Sequence, residues 1–267
     1  PVAFLDALNG QRIVLSIHRR NQSRPYWFLP ASAGDNVDVL TAQIGFRENQ
    51  KKRTYIARTL LRVRLNSMRQ MIPIPDSRLF ELSRATSLIA LRAIEVQVTK
   101  SYWSSFYSHI GYSITRREKH PVNAALNAGS MFLAGILLRW ILFHKLSPYH
   151  GYLHEPTTYP ALVYDLMEPH RAIFEQAVLR AVQLDAPDRD LVGETINGIK
   201  RSLEEQIYVP ATRQHVRRKN LLHGAVLATR SYLVGDTKRL VLPVEGQKTG
   251  GRPPNIAYRL PGSMMKE

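Results

Sequence analysis

The 267-residue sequence predicts an α+β chain, with a small N-terminal β-domain followed by a larger all-helical domain. Three observations carry this. Short runs rich in β-branched and aromatic residues fill the first stretch of the chain. Apolar residues recur at helical spacing from about residue 50 onward, and glycine and proline cluster after about residue 240. The expected division is a partial, shortened β-domain over 1–48, a helical catalytic domain over 49–240 and a flexible basic tail over 241–267.

Taken in order, Val2–Leu5, Arg12–Ile17 and Tyr26–Leu29 read as strands, punctuated by the turn-formers Asn9-Gly10, Arg24-Pro25 and Gly34-Asp35. Lys51 to Ile72 reads as a helix. It sets Ile56, Leu60, Leu61, Val63 and Met68 on an apolar face, with Arg58, Arg62 and Arg69 on another. Pro73 and Pro75 break it. A long helix is expected from Leu79 to Tyr107, with Leu82, Leu88, Ile89, Leu91, Ile94 and Val98 as its stripe. Pro121 opens another that runs through Leu142 and ends before Pro148. Its apolar end, Met131 to Phe143, is short for a membrane span and contains Arg139, so it reads as a buried core helix. Helix is expected again for Tyr164 to Gln183, Asp188 to Tyr208 and Arg213 to Leu233. The last residues, with Gly246, Gly250, Gly251, Pro253 and Pro254, read as the tail. No internal repeat is present.

Composition narrows the function. A chain that is 44% hydrophobic can bury a core and is not disordered. The lack of any cysteine excludes a disulfide framework, a thiolate zinc site and a cysteine nucleophile, and matches a reducing, intracellular compartment. The 37 basic residues against 21 acidic give +16, far from an ordinary acidic-to-neutral cytosolic enzyme. That charge is unevenly placed: residues 11–70 carry +9, residues 71–199 carry none and residues 200–267 carry +8. Two basic arms around a neutral middle are the footprint of a polyphosphate partner, which Lys and Arg bind by displacing condensed counterions. With no apolar-faced basic helix or lipidation signal, nucleic acid is favoured over a membrane surface.

The neutral middle holds acidic and imidazole groups where a core would not want them. Glu95 lies within the apolar stretch Leu88 to Val98, where a carboxylate is costly to desolvate without a cation. His154 ends the loop segment from Pro148, and Asp165 and Glu168 share a face if their turn is helical. Carboxylates with one imidazole suit a hard divalent cation, Mg²⁺ or Mn²⁺. Plainer roles stand beside this. Glu95 could pair with Arg92 or another helix's arginine, His154 could be a satisfied loop histidine, and Asp165 could cap a helix with Glu168 in its first turn. There is no His-Glu-x-x-His motif, Gly-rich phosphate loop or Gly-x-Ser-x-Gly elbow, and His109, His120, His144, His150 and His170 read as surface or structural.

Four segments in order, Arg92-Ala-Ile-Glu95-Val-Gln-Val-Thr-Lys-Ser-Tyr102-Trp103, His120-Pro-Val-Asn123-Ala-Ala-Leu-Asn127-Ala-Gly129, Ser147-Pro-Tyr-His-Gly151-Tyr-Leu-His154 and Tyr164-Asp165-Leu-Met-Glu168-Pro-His-Arg171, resemble the CRISPR-associated integrase family, Cas1. More loosely, Tyr55-Ile-Ala57 through Leu65-Asn66 resembles the family's first domain helix, and Arg217-Arg-Lys219 its later basic helix. The resemblance implies a metal-dependent DNA endonuclease and integrase that inserts new spacers into a CRISPR array by 3′-OH attack on a phosphodiester, in the adaptation stage of antiviral defence. Carried over, Glu95, His154 and Glu168 are the catalytic and metal-holding residues for Mg²⁺ or Mn²⁺, with Asp165 as a supporting acid at the metal. Arg58, Arg62, Arg116, Arg117, Arg217 and Arg218 are the candidate DNA contacts.

The partners implied are double-stranded DNA (spacer precursor and CRISPR repeat), a second copy in a homodimer, the small Cas2 protein, and a fused or adjacent reverse transcriptase, in a prokaryotic cytoplasm without a membrane. Fewer residues precede Glu95 than the family usually places there, so a fused or excised domain lacking its first strands is expected. Val96 and Val98 stand where the family often has Gly and Ala. Two other readings remain: a catalytically silent DNA-binding scaffold of the same fold, and a metal-dependent nuclease acting on branched DNA or RNA.

Overall fold

A computed structural model describes residues 2–11, 13, 15–17, 26–28, 37–184, 186–248, 250–251 and 254–262. Over these the chain is α+β and mainly helical. The N-terminal part differs from the expected all-β reading. Val2–Gly10 is a helix, α1, where a strand was expected over Val2–Leu5. Strands β1 (Leu15–Ile17) and β2 (Tyr26–Phe28) pair antiparallel, Leu15 opposite Phe28 and Ile17 opposite Tyr26. Arg12, Val14, Leu29 and the turn pairs Arg24-Pro25 and Gly34-Asp35 lie outside the described residues. Helix α2 (Val37–Glu48) follows. It packs on later helices, so the helical body begins before the boundary expected at residue 48.

Helix α3 (Gln50–Met68) is the central strut; Asn49 caps it by accepting from the Lys52 N–H at 3.0 Å. Its buried face holds Ile56, Leu60, Leu61 and Met68, as the spacing predicts, and Leu65 and Arg64 as well, while the expected Val63 is only half-buried. The long helix expected over Leu79–Tyr107 is two helices, α4 (Asp76–Arg84) and α5 (Leu88–His109). The break falls at Ala85, whose backbone is extended, and Ser87 starts α5 by accepting from the Ala90 N–H at 3.2 Å. Apolar periodicity runs through such a break unseen, because Leu82 before it and Leu91 after it are both buried, although Ile89 of the expected stripe is exposed.

Helix α6 (Pro121–Phe143) begins as expected, with Pro121 at its start and the His120 imidazole accepting from the Val122 N–H at 3.2 Å. It is long and apolar enough to cross a membrane by length and composition. Within the fold it is the core helix, lying against α7 (Ala161–Met167), α8 (Ala172–Gln183), α9 (Leu191–Glu204) and α10 (Lys219–Leu233). Gly129 lets α6 approach α8: a Cβ there would come within 2.7 Å of Phe174 Cβ. The helix expected over Tyr164–Gln183 starts earlier and is interrupted by a 3₁₀ turn, Glu168–His170, around Pro169.

Two expected helices each lose an end to an antiparallel hairpin, β3 (Gln206–Val209) and β4 (Gln214–Arg217). Pro210 and a left-handed Arg213 (φ 55°) make the turn, while Ile207, Val209 and Val216 point into the core. The segment expected as a flexible tail is packed over its described residues: Leu240, Leu242, Tyr258 and Leu260 are buried. The Gln214 side-chain amide brackets Leu260, donating to its carbonyl at 3.1 Å and accepting from its N–H at 2.9 Å.

Candidate active site

Glu95 sits in the first half of α5, half-buried, on a helix that packs against α3. His154 arrives on the irregular segment between α6 and α7, and α2 fixes the start of that segment. The fully buried Gln43 amide donates to the carbonyls of Ser147 (2.8 Å) and His150 (2.9 Å) and accepts from the Ser147 N–H (2.8 Å). Gly151 is required by close approach, since a Cβ would lie 2.9 Å from Asp165 Oδ2 and 2.9 Å from the His154 carbonyl oxygen.

Asp165, in α7 and fully buried, gathers the next three residues. Its Oδ2 accepts from the N–H groups of Tyr152 and of Leu153 (3.0 Å). Its Oδ1 accepts from the His154 N–H (3.0 Å) and from His154 Nδ1 (2.7 Å). A carboxylate has about four lone-pair sites, and all are in use. Asp165 is therefore committed to the loop and has no free site to offer a metal, contrary to its expected place among the ligands. It is not a helix cap either: it holds a loop from within α7. Because an ionised carboxylate only accepts, Nδ1 of His154 must donate, which leaves the lone pair of the neutral ring on Nε2.

Glu168 opens the 3₁₀ turn and is buried. Arg171 Nη1 reaches its Oε1 at 3.0 Å, and Arg64 Nε lies 3.7 Å from its Oε2. Both arginines are anchored by Glu175 of α8, itself fully buried. Arg64 grips Glu175 with two nitrogens at 2.9 and 2.7 Å, Tyr102 Oη donates to it at 2.7 Å, and Arg171 Nε lies 3.4 Å away. Buried charge on this scale persists only when paired and hydrogen-bonded. Burial opposes ionisation of Glu175, but the two guanidiniums outweigh it and hold its carboxyl below the usual range.

The electrostatics bring Glu95, His154 and Glu168 into one neighbourhood. Burial raises the Glu95 carboxyl above its ordinary value, and the negative charge of Glu168 adds to this; His154, Arg171 and Arg92 pull the other way. Burial pushes the His154 imidazole down, yet the Asp165 hydrogen bond and the charges of Asp165, Glu168 and Glu95 outweigh it, so it is raised. Among the described residues, no three His, Asp or Glu side chains close into a metal shell. Glu168 is instead paired with Arg171 and lies near Arg64. The donor set nonetheless fits a hard divalent cation. Two carboxylates that repel each other, beside an imidazole whose Nε2 carries the lone pair, are relieved by a positive charge near them.

Arg92 does not take the expected partner: it bonds Glu155 Oε2 and the Leu153 carbonyl, both at 2.6 Å. Of the expected DNA contacts, Arg62 and Arg117 are exposed, and Arg58 donates to the Ser83 carbonyl at 3.3 Å. Arg116 lies over Trp103, 5.6 Å from the ring centre, and donates to Asn127. Arg217 pairs with Glu204 at 2.8 Å, and Arg218 pairs with Glu205 and Glu245. Sequence reasoning missed Arg64 and Glu175. The available signal was that Arg64 falls on the apolar face of α3, where an unpaired cation has no place.

The fold and the site define a class: a mainly helical α+β chain whose acid and imidazole pocket is set among arginines. The chain belongs to the Cas1 family, whose profile, CRISPR associated protein Cas1, matches residues 2–192. A relative from Pyrobaculum aerophilum, CRISPR-associated endonuclease Cas1 2, is 34% identical over 95 residues, 34% of this chain and 32% of the relative; the match thus spans about a third of that protein. Three solved structures share the fold. A casposase bound to integration product superposes with a TM-score of 0.80 at 20% identity, covering 90% of this chain and 77% of the other. A Cas1 protein from Thermotoga maritima gives 0.65 at 20%, covering 88% and 82%. A Cas6-RT-Cas1–Cas2 complex gives 0.73 at 14%, covering 92% of this chain and 31% of that one.

Proposed function

We propose that this chain is a Mg²⁺- or Mn²⁺-dependent DNA endonuclease and integrase that inserts new spacers into a CRISPR array. The observation that carries the reading is that Glu95, Glu168 and His154 act on one another's charge while Asp165 fixes the His154 tautomer. In the reaction, a DNA 3′-OH attacks a phosphodiester; a new P–O bond forms, the old P–O3′ bond breaks, and the attacking hydroxyl's proton leaves as the departing 3′-oxygen takes one up. Glu95, His154 and Glu168 would hold the cation, with Asp165 supporting His154. Bound there, the cation lowers the pKa of the attacking hydroxyl and neutralises charge on the phosphate. The chain's own part is to hold the His154 tautomer through Asp165, keep Glu95 half-buried and Glu168 buried, and present exposed cations such as Arg62 and Arg117 to the DNA backbone.

Family membership, the name of the endonuclease relative and the casposase caught with its integration product support this reading. The Cas6-RT-Cas1–Cas2 complex supports Cas2 and a fused or adjacent reverse transcriptase as partners. We place the protein in a prokaryotic cytoplasm, acting as a homodimer on spacer precursor and repeat DNA. The test is Glu95→Gln. Joining of a short duplex to a repeat-bearing plasmid with Mn²⁺ should fall by at least about 100-fold, in the range of losing one group that stabilises transition-state charge, while DNA binding persists. Wild-type joining in this variant would refute the site, cleavage without joining in the parent would favour a nuclease, and metal-independent binding alone would favour a scaffold.

A further inference from the structure

We propose that Arg47, Arg53 and Arg92 form a clamp for a DNA phosphate beside the candidate active site, and that the Glu155 carboxylate occupies this clamp until DNA displaces it. The inference rests on the reading that this chain binds DNA. Glu155 directly follows His154, and Arg92 lies three residues before Glu95, on the same side of α5. Arg92 Nη1 meets Glu155 Oε2 at 2.6 Å, and Arg53 Nη2 lies 3.0 Å from Oε1. Arg47 joins them through the Glu155 carbonyl, at 2.6 Å. Two guanidiniums thus share one carboxylate while a third holds the same residue's backbone, leaving two positive charges unbalanced within the cluster.

Two details show that the carboxylate does not complete the site. Arg47 Nε is buried with no hydrogen-bond acceptor among the described residues, and Arg53 Nη2, although 3.0 Å from Glu155 Oε1, is not aligned with it for a hydrogen bond. A planar carboxylate offers two oxygens, whereas a phosphodiester offers more acceptors in three dimensions, and arginine forks match phosphate geometry. The guanidiniums are also held without the carboxylate: Arg53 Nε donates to the Tyr152 carbonyl at 3.1 Å and Arg92 Nη2 to the Leu153 carbonyl at 2.6 Å. Those carbonyls sit on the loop that Asp165 and Gln43 already fix. Glu155 is 47% exposed against 18% for Arg53, so it lies on the solvent side and can swing out, leaving a preorganised anion site. Bracing the loop would not require three cations, since exposed pairs of this kind are worth only about 0.2–1 kcal/mol each.

The experiment measures metal-free binding of a fluorescent duplex with single-stranded 3′ ends across a salt series, using the full chain and Glu155→Gln. Displacing the carboxylate breaks two half-exposed ion pairs, so Glu155→Gln should bind roughly three- to tenfold tighter. Its log–log salt slope should match the parent's, because the clamp neutralises the same phosphate in both once DNA is bound. Arg92→Gln should bind more weakly than the parent, and adding Glu155→Gln to it should restore only part of the loss. Unchanged or weaker binding in folded Glu155→Gln means that the arginines only brace the loop, and overturns the clamp. If that variant fails to fold, Glu155→Asp is read instead: its shorter carboxylate cannot span Arg53 and Arg92, so binding tightens with a clamp and does not with a brace. A parent that binds DNA but never joins it refutes the integrase reading and leaves the clamp to stand on the affinities; a parent that binds no DNA refutes both.

Discussion

Asp165→Asn isolates the feature on which the His154 geometry depends. In the parent, one carboxylate serves four donors: the N–H groups of Tyr152, Leu153 and His154, and His154 Nδ1. Asparagine has the same shape but keeps one acceptor oxygen, so two of the four donors face an NH₂ group instead. Each lost bond to a charged acceptor is worth about 1.5–3 kcal/mol, so the expected destabilisation is about 3–6 kcal/mol, read by urea unfolding. The variant also loses the main opposition to burial at His154, whose pKa therefore falls. The sign follows from linkage. A histidine whose folded pKa lies above its unfolded one contributes stability fully present below the unfolded value, near 6.5, and lost as pH rises through the folded value. The gap between parent and variant should therefore be wider at pH 5.5 than at pH 8.5. Nδ1 would no longer be obliged to donate, so Mn²⁺ affinity measured by calorimetry should fall about 10- to 100-fold. A variant within about 1 kcal/mol of the parent, with equal Mn²⁺ affinity and no widening at low pH, would refute the assignment of Asp165.

Three further substitutions probe other parts of the argument. Glu175→Gln leaves Arg64 and Arg171 buried with too little negative charge, and should cost about 3–5 kcal/mol in urea unfolding; a loss under 1 kcal/mol would show the network is not what holds Glu168. Gly151→Ala drives a methyl against the Asp165 carboxylate and the backbone of Ala161, so Mn²⁺ affinity should drop at least several-fold, and an unaltered affinity would mean the loop has slack. Removing residues 254–267 strips Tyr258 and Leu260 from the core, and each large apolar side chain lost costs about 2–4 kcal/mol, so the melting temperature should fall by many degrees; an unchanged value would restore the flexible-tail reading.

The parts of this fold that were legible in the sequence are those whose cause is local. Helix α6 announces itself by Pro121, and α3 by its apolar face, because a helix start and an amphipathic stripe are properties of consecutive residues. The hairpin β3–β4 was not legible: its strands are four residues each, too short for alternation to stand out beside two helices, and the turn depends on a left-handed Arg213 that composition does not mark. The α4–α5 break was hidden by a stripe continuing across it, and Val2–Leu5 was read as a strand because a run that short has no period. The tail shows the opposite case: glycine and proline suggest mobility, yet Leu240, Leu242, Tyr258 and Leu260 among them are buried, with Leu260 against Gly224 of α10.

At the site the same division holds with more at stake. Glu95, His154 and Glu168 stand out because each is an ionisable group in apolar or loop sequence, and such positions are readable one at a time. What each does is set by partners distant in the chain, which no local pattern carries. Glu168 is governed by Arg64, 104 positions earlier, through a Glu175 that looks from sequence like an ordinary helix-surface acid. Asp165 looks like a ligand from spacing, and only the three N–H groups converging on it show that its lone pairs are used up. Glu155 is the sharpest case. By composition it is one acid in a neutral segment, yet it lies against Arg53 and Arg92 from α3 and α5, with Arg47 of α2 bonded to its backbone carbonyl. The segment carries no net charge, but in space Glu95 and Glu168 stand near His154, with Glu168 paired to Arg171, while a net positive cluster forms at Arg47, Arg53 and Arg92 around Glu155. A phosphodiester approaching a cation needs both signs within reach, and that arrangement exists only once α2, α3 and α5 are packed together.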